Sequence, residues 1–119
     1  MLTKNEMETF ASEWIDAWNA HDLQRILSHY SSEIEFSSPF IAKVVAEPSG
    51  RLRGKEALQV YWTRALGRLP ALKFKLISGF FGVDSIVLNY EREDGRLASE
   101  WFEFGPEGKV VRSAAHYGP

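Results

Sequence analysis

A chain of 119 residues with mixed charges and a formal net charge of −2 fits one domain, residues 1–119, and offers no concentrated basic face for nucleic acid. Its ordinary apolar content excludes a disordered chain, and no apolar run is long enough to span a bilayer. With no cysteine, disulfides, thiolate catalysis and cysteine-bound zinc are excluded as well. The first residues, Met1 to Glu6, lack the apolar core of a signal peptide, so a soluble, cytoplasmic protein is expected.

Taken in chain order, Thr3 and Glu6 have the spacing of a capping box, in which each side chain satisfies a backbone N–H at a helix start. Met7, Phe10, Ala11, Trp14, Ile15 and Trp18 then recur at helical spacing and form one broad apolar face. Asp22 is placed to cap a second helix that ends near Tyr30 and turns Leu23, Ile26 and Leu27 inward. Residues 33–38 alternate as a strand, with Ile34, Phe36 and Ser38 on one face; Pro39 ends its ladder. Between Ile41 and Arg53 the periodicity fades into a loop with a short edge strand expected at Ala42 to Ala46. Arg51, Arg53 and Lys55 are the only basic cluster and read as a solvated loop. Gly54 opens a third helix carrying Leu58, Tyr61, Trp62, Ala65 and Leu66, and Pro70 stops it.

The remainder reads as a meander of antiparallel strands. Leu72, Phe74 and Leu76 alternate, Gly79 and Gly82 bracket a bend, and residues 83–92 lead to a hairpin at Asp94-Gly95. Leu97 to Phe104 and Lys109 to Tyr117 follow. Helices first and strands after imply an α+β domain: three helices in the N-terminal half packed in a strongly curved, mixed but mainly antiparallel sheet. Such a sheet forms a cone whose open end is an internal pocket.

The pattern Trp14-x3-Trp18-Asn19-Ala20-His21-Asp22-Leu23, Tyr30, Phe36-Ser37-Ser38-Pro39, Gly54-Lys55-Glu56-Ala57-Leu58 and Gly108-Lys109-Val110-Val111 resembles the nuclear transport factor 2-like superfamily, in its ketosteroid isomerase and SnoaL-like branch. The similarity covers nearly the whole chain. It implies the cone, a homodimer through the outer sheet face, and no cofactor. It does not fix an activity, because the same fold hosts isomerases, cyclases, dehydratases and noncatalytic binders. A ketosteroid isomerase carries its aspartate base just before the proline that ends the first strand; here that position is Ser38. The first-helix tyrosine that donates to the oxyanion is matched by Trp14, and the protonated aspartate of the strand before last by Glu100. Loss of the base and of one donor argues against steroid isomerisation by that mechanism.

Glu100 is accordingly the candidate catalytic residue. In Leu97 to Phe104, Ala98, Glu100, Phe102 and Phe104 share one face, and a carboxyl among them would be desolvated and held protonated. The alternative is that the faces are swapped or that Glu100 sits at a wet rim. Trp14, Tyr30, Ser38, Trp62, Asn89, Phe102, Ser113 and Tyr117 are candidate ligand-binding residues. For Trp14, Tyr30 and Trp62 the competing reading is core packing. For Asn89, in an otherwise apolar strand, it is an internal hydrogen bond. The resemblance turns Val111, Ser113, Ala115 and Tyr117 inward, leaving Arg112 and His116 beside Trp101 on the outer face. His21, His29 and His116 lack metal-ligand spacing, and no phosphate loop is present, so no metal is expected. Two functions remain: an isomerase-, cyclase- or dehydratase-type enzyme acting on a small apolar molecule through Glu100 as acid or oxyanion donor, or a module that only binds such a molecule.

Overall fold

A computed structural model describes all residues, 1–119. Its elements run α1 (Lys4–Asn19), α2 (Leu23–Leu27), β1 (Tyr30–Ser37), α3 (Ile41–Val44), β2 (Arg51–Arg53), α4 (Lys55–Arg68), β3 (Lys75–Phe81), β4 (Ser85–Glu91), β5 (Leu97–Phe104) and β6 (Val110–Tyr117). The strands form one six-stranded sheet in the order β2-β1-β6-β5-β4-β3. All pairs are antiparallel except β1 with β6, which run parallel. This mixed α+β sheet is compatible with the expected cone.

The local signals at the N-terminus form as the sequence dictates. Thr3 Oγ1 accepts the Glu6 N–H and Glu6 Oε1 accepts the Thr3 N–H, both at 3.1 Å. Asp22 Oδ1 accepts the Arg25 N–H at 3.2 Å and starts α2. That helix stops at Leu27, however, and Tyr30 already belongs to β1.

The segment after Pro39 differs from the edge strand expected at Ala42 to Ala46. Ser38 takes two amides there: its Oγ accepts the Phe40 N–H at 3.3 Å and its carbonyl accepts the Ile41 N–H at 3.2 Å. With those amides engaged locally, the chain enters the helical turn α3 and buries Ile41 completely. Four helices therefore stand where three were expected. The edge strand comes later, at β2, with Phe36 opposite Leu52.

Alternation places the core. Ile34 and Phe36, Ile86, Leu88 and Tyr90, Ala98, Glu100 and Phe102, and Ser113 and Ala115 are all buried on the helix side of the sheet. One inward expectation slips: Val110 is buried in place of Val111, because the register shifts between Glu103 and Phe104 where they face β6. Gly79 lies inside β3 rather than at a bend, and a Cβ there would meet Met7 Sδ at 2.7 Å. Its missing side chain is what lets α1 approach the sheet. No helix is long and apolar enough to cross a membrane.

Candidate functional site

A cavity of about 250 Å³ opens between α4, α3 and the inner faces of β4 and β5. That is close to the lower end of the roughly 300–1,000 Å³ usual for small-molecule sites. Tyr61 and Trp62 form the α4 wall, with Phe36 of β1 beside them. Trp18 and Phe74 close the side toward α1, and Tyr90 and Glu100 come from the sheet. Aromatic edges lock this lining: Trp62 meets Trp18 at 5.1 Å and Phe36 at 5.5 Å between ring centroids, and Phe74 meets Tyr90 at 4.4 Å. The mouth carries Phe40 and Tyr117, in contact at 4.5 Å, with Lys43, Arg68 and Arg92 around them.

Glu100 is the only carboxylate on the cavity wall, and it is 6% exposed. The Tyr90 hydroxyl donates to its Oε1 at 2.6 Å, a short charge-assisted bond across neighbouring strands where Leu88 faces Glu100. Burial raises the Glu100 carboxyl to about 7; the Tyr90 bond opposes that rise without cancelling it. Desolvation pushes the Tyr90 phenol well above its ordinary range, and the adjacent Glu100 charge adds to the effect. Tyr90 therefore stays a proton donor while Glu100 exchanges its proton near neutrality. Outer-face sets also fall as the alternation requires: Ser99, Trp101 and Glu103 are only partly buried.

The other sequence candidates divide. Trp62 and Tyr117 reach the cavity with Glu100. Trp14 and Tyr30 do not: they lie behind the wall, fully packed, with Trp14 Nε1–H donating to the Tyr30 hydroxyl at 3.0 Å. Trp14 is thus no free donor at the position that matches the steroid isomerase tyrosine. Phe102 is core, wedged against Phe10 and Trp14. Ser113 is buried and spends its hydroxyl on the Trp101 carbonyl at 2.8 Å. Ser38 sits one layer from the cavity, where the Tyr61 hydroxyl donates to its Oγ at 3.4 Å. Asn89 faces the opposite side of the sheet, because β4 turns Ile86, Leu88 and Tyr90 inward; it donates to Ser78 Oγ at 2.9 Å and accepts from Ser99 Oγ at 2.7 Å.

Several cavity residues carry no sequence signal of their own. Phe40, Lys43 and Arg92 lie in the turn after Pro39 and just past β4, so no periodicity predicts their direction. The Arg92 guanidinium rests over Phe40 and Tyr117 at 5.7 and 5.5 Å. Trp18 Nε1 is buried without a hydrogen-bond partner, although its ring lines the cavity. No three histidine, aspartate or glutamate side chains come together to hold a metal ion.

A family model described as a SnoaL-like domain matches residues 11–117. Among solved structures, the chain is similar to a SnoaL-like protein of unknown function from Burkholderia thailandensis E264, with 50% identity, full coverage of both chains and a TM-score of 0.93. A proposed isomerase of the SnoaL-like family from Agrobacterium tumefaciens strain C58 shares 14% identity over 97% of this chain and 99% of its own, at a TM-score of 0.77. A proposed polyketide cyclase from Sinorhizobium meliloti shares 10% identity over 97% and 100%, at 0.75. At those low identities the last two likenesses carry the fold alone. No curated protein matches the chain. By the extent of the family match and by the half-identical relative, the chain belongs to the SnoaL-like family.

Proposed function

We propose that this protein is a cofactor-independent enzyme of the isomerase, cyclase or dehydratase kind, acting on a small, largely apolar carbonyl compound through Glu100. One observation carries the reading: a buried carboxyl, the only one on the wall of an aromatic cavity, its Oε1 fixed by Tyr90 at 2.6 Å and its proton affinity raised by burial. The protonated carboxyl donates to a carbonyl oxygen and stabilises the negative charge that develops as an adjacent C–H bond breaks and its proton passes to solvent, the cavity wall holding no second carboxylate to take it. Proteins named a proposed isomerase and a proposed polyketide cyclase share this fold, and the chemistry proposed here rests on the cavity rather than on them. Ser38 stands where a steroid isomerase has its base and is already bonded to Tyr61, so the two-step proton shuttle of that enzyme is not part of the proposal.

Hydrogen–deuterium exchange of a panel of aryl and cyclic ketones, followed by proton NMR, tests the reading without a known substrate. The protein accelerates exchange next to the carbonyl, and Glu100→Gln lowers that acceleration by about 10²–10⁴-fold, the usual weight of one proton-transfer group. Equal exchange by both proteins contradicts it.

A noncatalytic binder is the second reading, favoured by the fact that Glu100 has no second carboxylate on the cavity wall. It predicts saturable quenching of Trp18 and Trp62 fluorescence with no exchange. A cytoplasmic homodimer through the outer sheet face completes the proposal; the exposed Ile77, Phe80 and Leu97 support such an interface.

A further inference from the structure

The cavity is charged at its mouth in a way that the reaction above does not require. Three cations, Lys43, Arg68 and Arg92, line it against the single carboxyl of Glu100, although the chain as a whole is slightly acidic. Arg92 stands out among them. Its side chain is only 10% exposed, yet its one carboxylate neighbour is Glu93, a single contact at 3.6 Å. That carboxylate is shared, since Glu93 Oε1 also accepts the Lys73 N–H at 3.3 Å. Lys43 lies over the same Phe40 ring as Arg92, at 5.7 Å from its centroid, and neither Lys43 nor Arg68 has an ion-pair partner.

A largely buried guanidinium without a bidentate acceptor is costly, and Lys43 against the same Phe40 ring adds a second positive charge to this side of the cavity. An anion held by Arg92 removes that cost. A planar carboxylate suits the fork of Arg92 in particular, because parallel N–H groups meet both oxygens at once. The aromatic lining beyond suits the rest of such a molecule: a one- or two-ring body fills about 250 Å³.

We infer that the ligand of this cavity is an apolar organic acid, its ring body held among Trp18, Trp62 and Phe74 and its carboxylate taken by Arg92 and Lys43 at the mouth. The inference rests on the proposed function only in using the same cavity, and it names the substrate class: a carbonyl compound that also bears a carboxylate.

Titration with 2-naphthoate and with uncharged 2-naphthamide, followed by tryptophan fluorescence at low salt, tests it. The wild-type protein binds the acid at least about tenfold more tightly than the amide, the scale of a charge-assisted pair in a partly desolvated site. Arg92→Met cuts that preference to the roughly two- to fivefold that Lys43 supplies. Because Arg92 also packs on Phe40 and Tyr117, Lys43→Gln provides a second variant at an exposed position; it reduces the preference by about two- to fivefold, as expected of an exposed charge. Equal binding of the two compounds, binding of neither, or a preference unchanged in every variant that folds overturns the inference. Glu100→Gln keeps the preference for the acid. Undiminished ketone exchange in Glu100→Gln would therefore end the catalytic reading while leaving this one standing, and the two failures are distinct.

Discussion

At the scale of single residues, the proton of Glu100 decides what the cavity can do. Its carboxyl rises from 4.5 to about 7 on folding, chiefly through burial. The folded chain therefore holds this proton over a pH range in which the unfolded chain has released it. The stabilising contribution is complete below about 4.5 and is lost as pH rises through about 7, the reverse of an ion-paired carboxylate. The shift corresponds to about 3 kcal/mol of cost at alkaline pH. Glu100→Gln, neutral at every pH and close in shape, removes it. In urea melts at pH 5 and pH 8 the wild type loses stability between the two pH values relative to Glu100→Gln. A constant difference would show that the carboxyl titrates normally. The donor form is the protonated one, so ketone exchange by the wild type also declines as pH rises past 7.

At the scale of elements, side-chain alternation made one face of each strand legible from the sequence. Glu100, Trp62 and Tyr117 reach the cavity wall on β5, α4 and β6, which keep regular periods at those positions. The remaining candidates lie elsewhere for specific reasons. Trp14 and Tyr30 satisfy each other by a long-range hydrogen bond, which spacing cannot reveal, and so fill the core instead of lining the cavity. For Asn89 the internal hydrogen bond is the reading that holds, since the phase of β4 turns it outward to Ser78 and Ser99. Phe40, Lys43 and Arg92 escaped because the turn after Pro39 and the end of β4 have no period to read. Gly54 is the joint that links β2 to α4, with φ of 89° and its N–H donated to the Ile34 carbonyl at 2.8 Å. A Cβ disfavours that backbone conformation. Gly54→Ala is expected to cost about 1–3 kcal/mol in a denaturant titration, and a cost near zero would show that the joint relaxes freely.

At the scale of the whole molecule, the sheet uses its two faces differently. The inner face, with the helices, builds the core and the cavity; the outer face shows Ile77, Phe80 and Leu97, which are 55%, 61% and 55% exposed. Apolar groups at that exposure are expected to be covered by a second copy of the chain. Light scattering across a concentration series should give the mass of a dimer, and Phe80→Arg should shift it toward monomer without loss of secondary structure. A constant monomer mass for the wild type at high concentration refutes the interface.

The chemistry proposed for the cavity needs a carboxyl that changes protonation near neutral pH. A carbon-13 NMR titration of the labelled side-chain carboxyls, with the Glu100 signal identified by its absence in Glu100→Gln, reads that property directly. The Glu100 resonance is predicted to titrate with a midpoint near 7. A midpoint near 4.5, the ordinary value for a glutamate, would contradict the account at its root.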